Sequence, residues 1–258
     1  MVAKTEISPV APSKMPIMGH LREMRDRVFK SAIALAVGTG IAFIFCPQII
    51  EFLKAPAGNI DLQAIELVEN IAVFFKVALA GGIIISMPFL VYQLISFVSP
   101  GLTDKEKGNI YKILPVVTIM FLFGVAFAYF IALPPALNFL LKFMSDIAEP
   151  QIRISNYINI VTRLIVSVGL IFETPIIIMF LARMGICSPQ WLARRRRLWI
   201  VLSFVIAALI TPTFDPINQT IIALPLIILL ELSIILARFV YKKRAAPAEA
   251  QPEASPKD

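Results

Sequence analysis

The apolar positions of this chain fall into six runs separated by short charged breaks, at about 28 to 46, 71 to 97, 111 to 133, 157 to 182, 198 to 211 and 217 to 237. About 20 apolar residues, rising 1.5 Å each as a helix, span a bilayer core about 30 Å thick. In lipid a helix satisfies its backbone polar groups within its own segment, so the pattern predicts an all-α, polytopic integral membrane protein with six transmembrane helices. Two of them are short. Run five, Leu198 to Thr211, has 14 residues, and run six starts at Ile217, contains Pro225 and meets Glu231 after another 14, so each covers about 21 Å. Short fifth and sixth helices joined through 211 to 216 predict a hairpin that stops short of a full crossing, beside a thinned bilayer or a water-filled recess. The plainer alternative is a solvent-exposed turn over a tilted hairpin, with Thr213, Asp215 and Asn218 as turn residues.

Ahead of run one, Ile17, Leu21, Met24 and Val28 recur at i, i+4, i+7 and i+11, the spacing of an amphipathic helix lying on the membrane surface. The chain thus divides into an N-terminal segment (1 to 27), a membrane domain (28 to 237) and a tail (238 to 258). From Ala245 the tail is rich in Ala, Pro and Glu and is expected to be disordered. Run one follows about 27 polar or mixed residues and lacks a small-residue cleavage site, so it is expected to be retained.

Charge sets the expected orientation. Of the 24 Lys and Arg residues, nineteen fall on the side of the two termini. Lys54, Lys142 and Arg153 fall on the other, and Lys76 and Arg163 lie inside runs. Basic residues mark the cytoplasmic side, so both termini are expected there. The net charge of +7 is then mostly a topology signal, and Arg194 to Arg197 read as a membrane anchor and not as a nucleic-acid patch. Trp191, Trp199, Tyr111, Tyr157 and Tyr241 sit near run ends, as an aromatic belt requires.

Composition closes off other classes. With 58% hydrophobic and 16% charged residues and a mean hydropathy of +0.82, the chain is not a soluble globular domain. His20 is the only histidine, which excludes a multi-His metal site, and no GxxxxGK[ST] loop is present. No cofactor, metal or enzymatic activity is expected. Cys46 and Cys187 fall on opposite sides of the predicted membrane, which argues against a disulfide between them.

The charges that remain are candidates for function. Glu173 stands inside run four, where an acidic residue costs about 2.5 to 3.5 kcal/mol at the bilayer centre, so it should face protein or water. Pro175 frees a backbone carbonyl beside it. Glu173 either lines a functional polar cavity or, neutral and hydrogen-bonded, glues helices together. Arg163 lies ten residues earlier, about 15 Å along the axis, and cannot pair with Glu173 within one helix; it is expected to snorkel outward. Lys76 shares a helical face with Glu69 as an interface-level charge, and Glu231 precedes Arg238 by seven residues. On the basic side, Glu23 and Asp26 stand among Arg22, Arg25 and Arg27, and the first loop carries Asp104 and Glu106. A carboxylate on a basic face can hold a guanidinium by a charge-assisted, bidentate pair. The bland alternatives are i, i+4 pairs within the helix and Asp104 as a helix cap.

Taken in order, His20-Leu21-Arg22-Glu23-Met24-Arg25-Asp26-Arg27, Tyr92-Gln93 with Phe97, Pro100-Gly101-Leu102 and Glu106, Phe127-Ala128-Tyr129-Phe130, Phe172-Glu173-Thr174-Pro175, Thr211-Pro212 with Asp215 and Gln219, and Ala223-Leu224-Pro225 with Glu231 resemble the TatC family, the multi-span receptor of the twin-arginine protein translocase. The resemblance runs from about His20 to Arg238. It implies an inner-membrane receptor for Arg-Arg signal peptides that exports folded proteins using the proton-motive force. It implies a signal-peptide site at Glu23, Arg25, Phe97 and Glu106, the family's membrane-embedded glutamate at Glu173, and contacts to TatA-like and TatB-like single-span partners at Thr211 and Gln219. Other copies of the chain and the lipid bilayer are further expected partners, and nucleic acid is not. Two other classes compete. A proton-coupled secondary transporter would use Glu173 as an intramembrane relay, but it predicts internal repeats, and 28 to 133 does not resemble 157 to 237. A permease subunit would need a separate ATPase and a coupling helix in a loop such as 98 to 110 or 184 to 197.

Overall fold

A computed structural model describes residues 17–58, 62–98, 110–145, 152–211 and 215–241. The helices are α1 (Ile17–Ile44), α2 (Cys46–Lys54), α3 (Glu69–Val98), α4 (Ile110–Phe127), α5 (Leu133–Ser145), α6 (Ile154–Phe172), α7 (Thr174–Arg183), α8 (Pro189–Arg194), α9 (Arg196–Ile210) and α10 (Pro216–Val240). Two short strands, β1 (Leu62–Gln63) and β2 (Ile152–Arg153), pair in parallel with Leu62 opposite Ile152. Among the described residues five helical stretches are long and apolar enough to cross a membrane: Leu21–Ile44, Glu69–Phe97, Leu114–Leu140, Ile154–Arg183 and Pro216–Val240.

The first two spans run antiparallel in close contact. A Cβ added at Gly38 would stand 2.8 Å from the Gly82 carbonyl oxygen, and one at Gly82 would stand 2.7 Å from the Thr39 backbone nitrogen. Without side chains at this crossing the two backbones approach closely, the packing mode that holds helices together in lipid. The same device recurs between α4 and α6, where Gly124 and Gly169 meet Phe172 and Phe121. Phe29, Ile33 and Val37 on the outer side of α1 are exposed, as lipid-facing residues should be.

Each interruption has a local cause. Pro134 lacks an N–H and its ring crowds the carbonyl four residues back; the chain widens into a π-turn over Ala128–Ala132 just before it. Pro175 breaks span four, so α6 ends and α7 begins at Glu173, whose N–H turns to the Leu170 oxygen at 3.2 Å. The N-terminal segment is not a separate surface helix: no strong breaker stands between Ile17 and Ile44, and α1 runs unbroken across position 27.

The short fifth helix is present: α9 has 15 residues, about 22 Å. The short sixth is corrected. Helix α10 has 25 residues, about 37 Å, and continues through Pro225 and past Glu231 to Val240. Reading Glu231 as the end of the apolar run misled, because Glu231 is paired with Arg196 of α9 at 2.8 Å, not with Arg238. Helix α10 packs against α7 and α8. The tail from 242 and the loop from 99 to 109, with Asp104 and Glu106, lie outside the described residues.

Candidate functional site: the end of the bundle where the chain begins

The last turns of α3 lie beside the first turns of α1, and the polar residues of both meet between them. Glu23 accepts from Arg27 one turn on, Oε1 receiving both Nε at 3.0 Å and Nη2 at 2.5 Å. The third nitrogen, Arg27 Nη1, reaches Gln93 Oε1 on α3 at 3.4 Å. Gln93 is buried, and a buried amide needs a partner. Two clefts open here. One, about 270 Å³, is lined by Met24, Val28, Leu90, Leu94 and Phe97; the other, about 620 Å³, by Glu23, Asp26, Lys30, Tyr92 and Ser96. Arg27 and Gln93 line both and so form the wall between them.

The expected site residues therefore separate. Glu23 and Phe97 border adjoining clefts. Arg25 points away: its side chain is 77% exposed and pairs with Asp26 at 2.9 Å. Glu106 lies outside the described residues. Arg27 and Gln93 are additions; a glutamine one turn before the end of an apolar span was the signal that could have marked the second.

Deeper in the bundle, Glu173 is 1% exposed, and neither carboxyl oxygen has a hydrogen-bond partner among the described residues. It faces protein, as its burial cost demands, at the junction of α6 and α7. The hairpin residues are bonded within the hairpin itself. Thr211 Oγ1 donates to the Ala207 oxygen at 2.9 Å, Gln219 Nε2 to the Phe204 oxygen of α9 at 2.9 Å, and Asp215 caps α10 by accepting from the Asn218 N–H at 2.8 Å. Arg163 does not simply snorkel. Its Nη2 donates to the Ile210 oxygen at 3.3 Å, a cation on the last carbonyls of α9. Arg163 is nine residues into α6, so the hairpin tip stops some 10–15 Å short of the far end of that helix.

The far end is a bonded cap. Glu69, 4% exposed, accepts from the backbone N–H groups of Ile65 (2.9 Å), Glu66 (3.3 Å) and Ser155 (3.1 Å). Arg153 pairs with Glu66 at 2.7 Å and lies 3.6 Å from Glu69, so Glu69 answers to Arg153 and not to Lys76, which is exposed. The two carboxylates raise the Arg153 pKa. Tyr129 and Tyr157 donate to the Phe52 and Leu53 oxygens at the end of α2, at 2.8 and 2.7 Å, and Tyr129 stacks on Phe52 with centroids 4.3 Å apart. Cys46 and Cys187 are both free thiols, and burial pushes both up in pKa.

Apolar spans, glycine crossings, a hairpin with one short arm and a charged cleft at one end define a polytopic helical membrane protein. The family described as Sec-independent protein translocase protein (TatC) matches residues 19–225. The chain is 38% identical over 236 residues to the Sec-independent protein translocase protein TatC of Aquifex aeolicus, covering 89% of this chain and 98% of that one. It is 34% identical over 246 residues to TatCy of Bacillus subtilis, covering 94% and 96%. A solved structure of the twin arginine translocase receptor TatC superimposes with a TM-score of 0.74 at 38% identity over 86% of this chain and 99% of that one. A second, of the receptor in DDM, gives 0.76 at 39% identity, over 84% and 99%. The chain belongs to the TatC family, a family of transport components and not of enzymes.

Proposed function

We propose that this protein is the receptor for twin-arginine signal peptides and the core subunit of a Sec-independent translocase that exports folded proteins. The observation that carries the reading is the paired cleft between α1 and α3, with a carboxylate in the polar half and Phe97 in the apolar half. A signal with two arginines followed by an apolar stretch has the same two-part chemistry. Glu23 takes one guanidinium and Glu106, from the adjoining loop, takes the other; the apolar stretch lies along the bundle toward Glu173. Arg25, held outward by Asp26, adds to the basic surround.

The chain crosses the inner membrane six times with both termini in the cytoplasm, α9 being the sixth crossing; nineteen basic residues on the side of the termini support that orientation. TatA-like and TatB-like single-span proteins dock on the short hairpin near Thr211 and Gln219, and several copies of this chain assemble with them. The proton-motive force supplies the energy, since the chain has no phosphate-binding loop. Nothing favours the proton-coupled transporter: family membership points to protein export.

Binding of an Arg-Arg peptide and its Lys-Lys twin to membranes holding the full-length protein tests this reading. It expects tighter binding of Arg-Arg, with Glu106→Gln and Glu23→Gln each erasing most of the difference, because only arginine offers a planar fork. Equal binding of both peptides to the wild type would refute it.

A further inference from the structure

From the contacts between α1 and α3 we infer that Arg27 is a built-in occupant of the guanidinium site, an internal competitor that a signal arginine must displace from Glu23 before it binds. The inference rests on the receptor reading above and adds a residue and a threshold to it.

Three observations converge. First, the Glu23 carboxylate already holds a guanidinium through two N–H groups, the contact an incoming arginine would make. Glu23 precedes Arg27 by four residues, the favourable order on a helix, so the pair forms without help from another element. Second, both side chains are only partly exposed, 26% and 23%, which shields the pair from solvent without sealing it in. Third, Arg27 has a second anchor: Nη1 reaches Gln93 Oε1 on the neighbouring helix at 3.4 Å while Nε and Nη2 hold Glu23, so the guanidinium keeps a partner when Glu23 is taken. A signal arginine entering the polar cleft, which Glu23 and Arg27 both line, would compete with Arg27 for the Glu23 oxygen.

A competitor weakens every ligand of the same carboxylate by the same factor. It therefore sets how strong a signal must be, and leaves the preference for arginine over lysine to the geometry of the fork.

The test uses the full-length protein in lipid nanodiscs and the two peptides named above. Arg27→Ala should tighten both by the same factor, about three- to five-fold, as expected for a partly buried charge-assisted pair. Arg27→Lys, which keeps the charge but offers no fork, should fall between it and the wild type; it carries the same test should Arg27→Ala fail to fold. In a Glu23→Gln background Arg27→Ala should change nothing. A gain of equal size in that background would overturn the inference, since it would reflect general charge repulsion. So would weaker binding by Arg27 variants that melt like the wild type, which would make Arg27 a brace. Both results leave the receptor reading standing, whereas wild-type protein that binds neither peptide, or binds both alike, refutes that reading and the inference with it.

Discussion

At the far end of the bundle Glu69 accepts from three backbone N–H groups and faces an arginine 3.6 Å away while almost wholly buried, whereas at the other end Glu23 is held by a neighbour one turn along its own helix and stays open to a cleft. Glu69 joins segments far apart in sequence: its partners come from the residues before α3 and from the β2–α6 junction. Opening it would separate whole elements. Glu23 and Arg27 can exchange partners by side-chain rotation alone, with α1 and α3 in place. A binding end needs groups that are paired at rest yet can be re-paired, and it needs a fixed frame behind them. The tyrosines at α2 and the glycine crossing of α1 on α3 supply that frame.

That contrast can be broken first at the crossing that links the ends. Gly82→Leu forces a side chain into Thr39 and should cost about 3 kcal/mol or more of stability, beyond ordinary overpacking because the Thr39 backbone as well as its hydroxyl is in the way. Thermal melting in detergent would read this, and peptide binding should fall with it. Next, Glu23→Gln should weaken Arg-Arg peptide binding about ten-fold, the loss of charge-assisted hydrogen bonds, while costing only about 0.5–1 kcal/mol of stability for the Arg27 pair it gives up. Tyr157→Phe should act on stability alone: about 1 kcal/mol less stable by melting, for one lost buried hydrogen bond to the Leu53 oxygen, with peptide affinity intact. Smallest of all, Arg163→Gln should cost about 0.5 kcal/mol, the value of a cation at a helix C-terminus, and should raise hydrogen exchange at the last turn of α9 alone. If Tyr157→Phe lowered affinity as much as Glu23→Gln, the separation between frame and binding end would be wrong.

Where apolar runs are long, the sequence was legible, because a span is decided by residues adjacent in the chain. Spans two to four appear as helices at nearly the expected places, and α9 is as short as its run. Span six shows the limit. Glu231 looked like an end because its charge had no partner within reach on its own helix, and Arg196 is 35 residues away in the chain. Glu173 was legible as a buried carboxylate from the surrounding apolar run, and Glu23 as one acid among arginines. Arg163 was not readable, since the carbonyl it caps ends a different helix. Gln93 belongs to the Tyr92-Gln93 motif, but its place beside Arg27 depends on how α3 meets α1.

What the sequence determined alone was the material of the fold: which stretches are apolar enough for lipid, where prolines interrupt them, and which side carries the basic residues, because each follows from local composition and short-range sterics. Tertiary structure alone decided which charges meet. Ion pairs and helix caps form between segments tens of residues apart, so the packing of α3 on α1, of α6 on α9 and of the outer strands chose Gln93 for Arg27, Ile210 for Arg163 and Glu66 for Arg153.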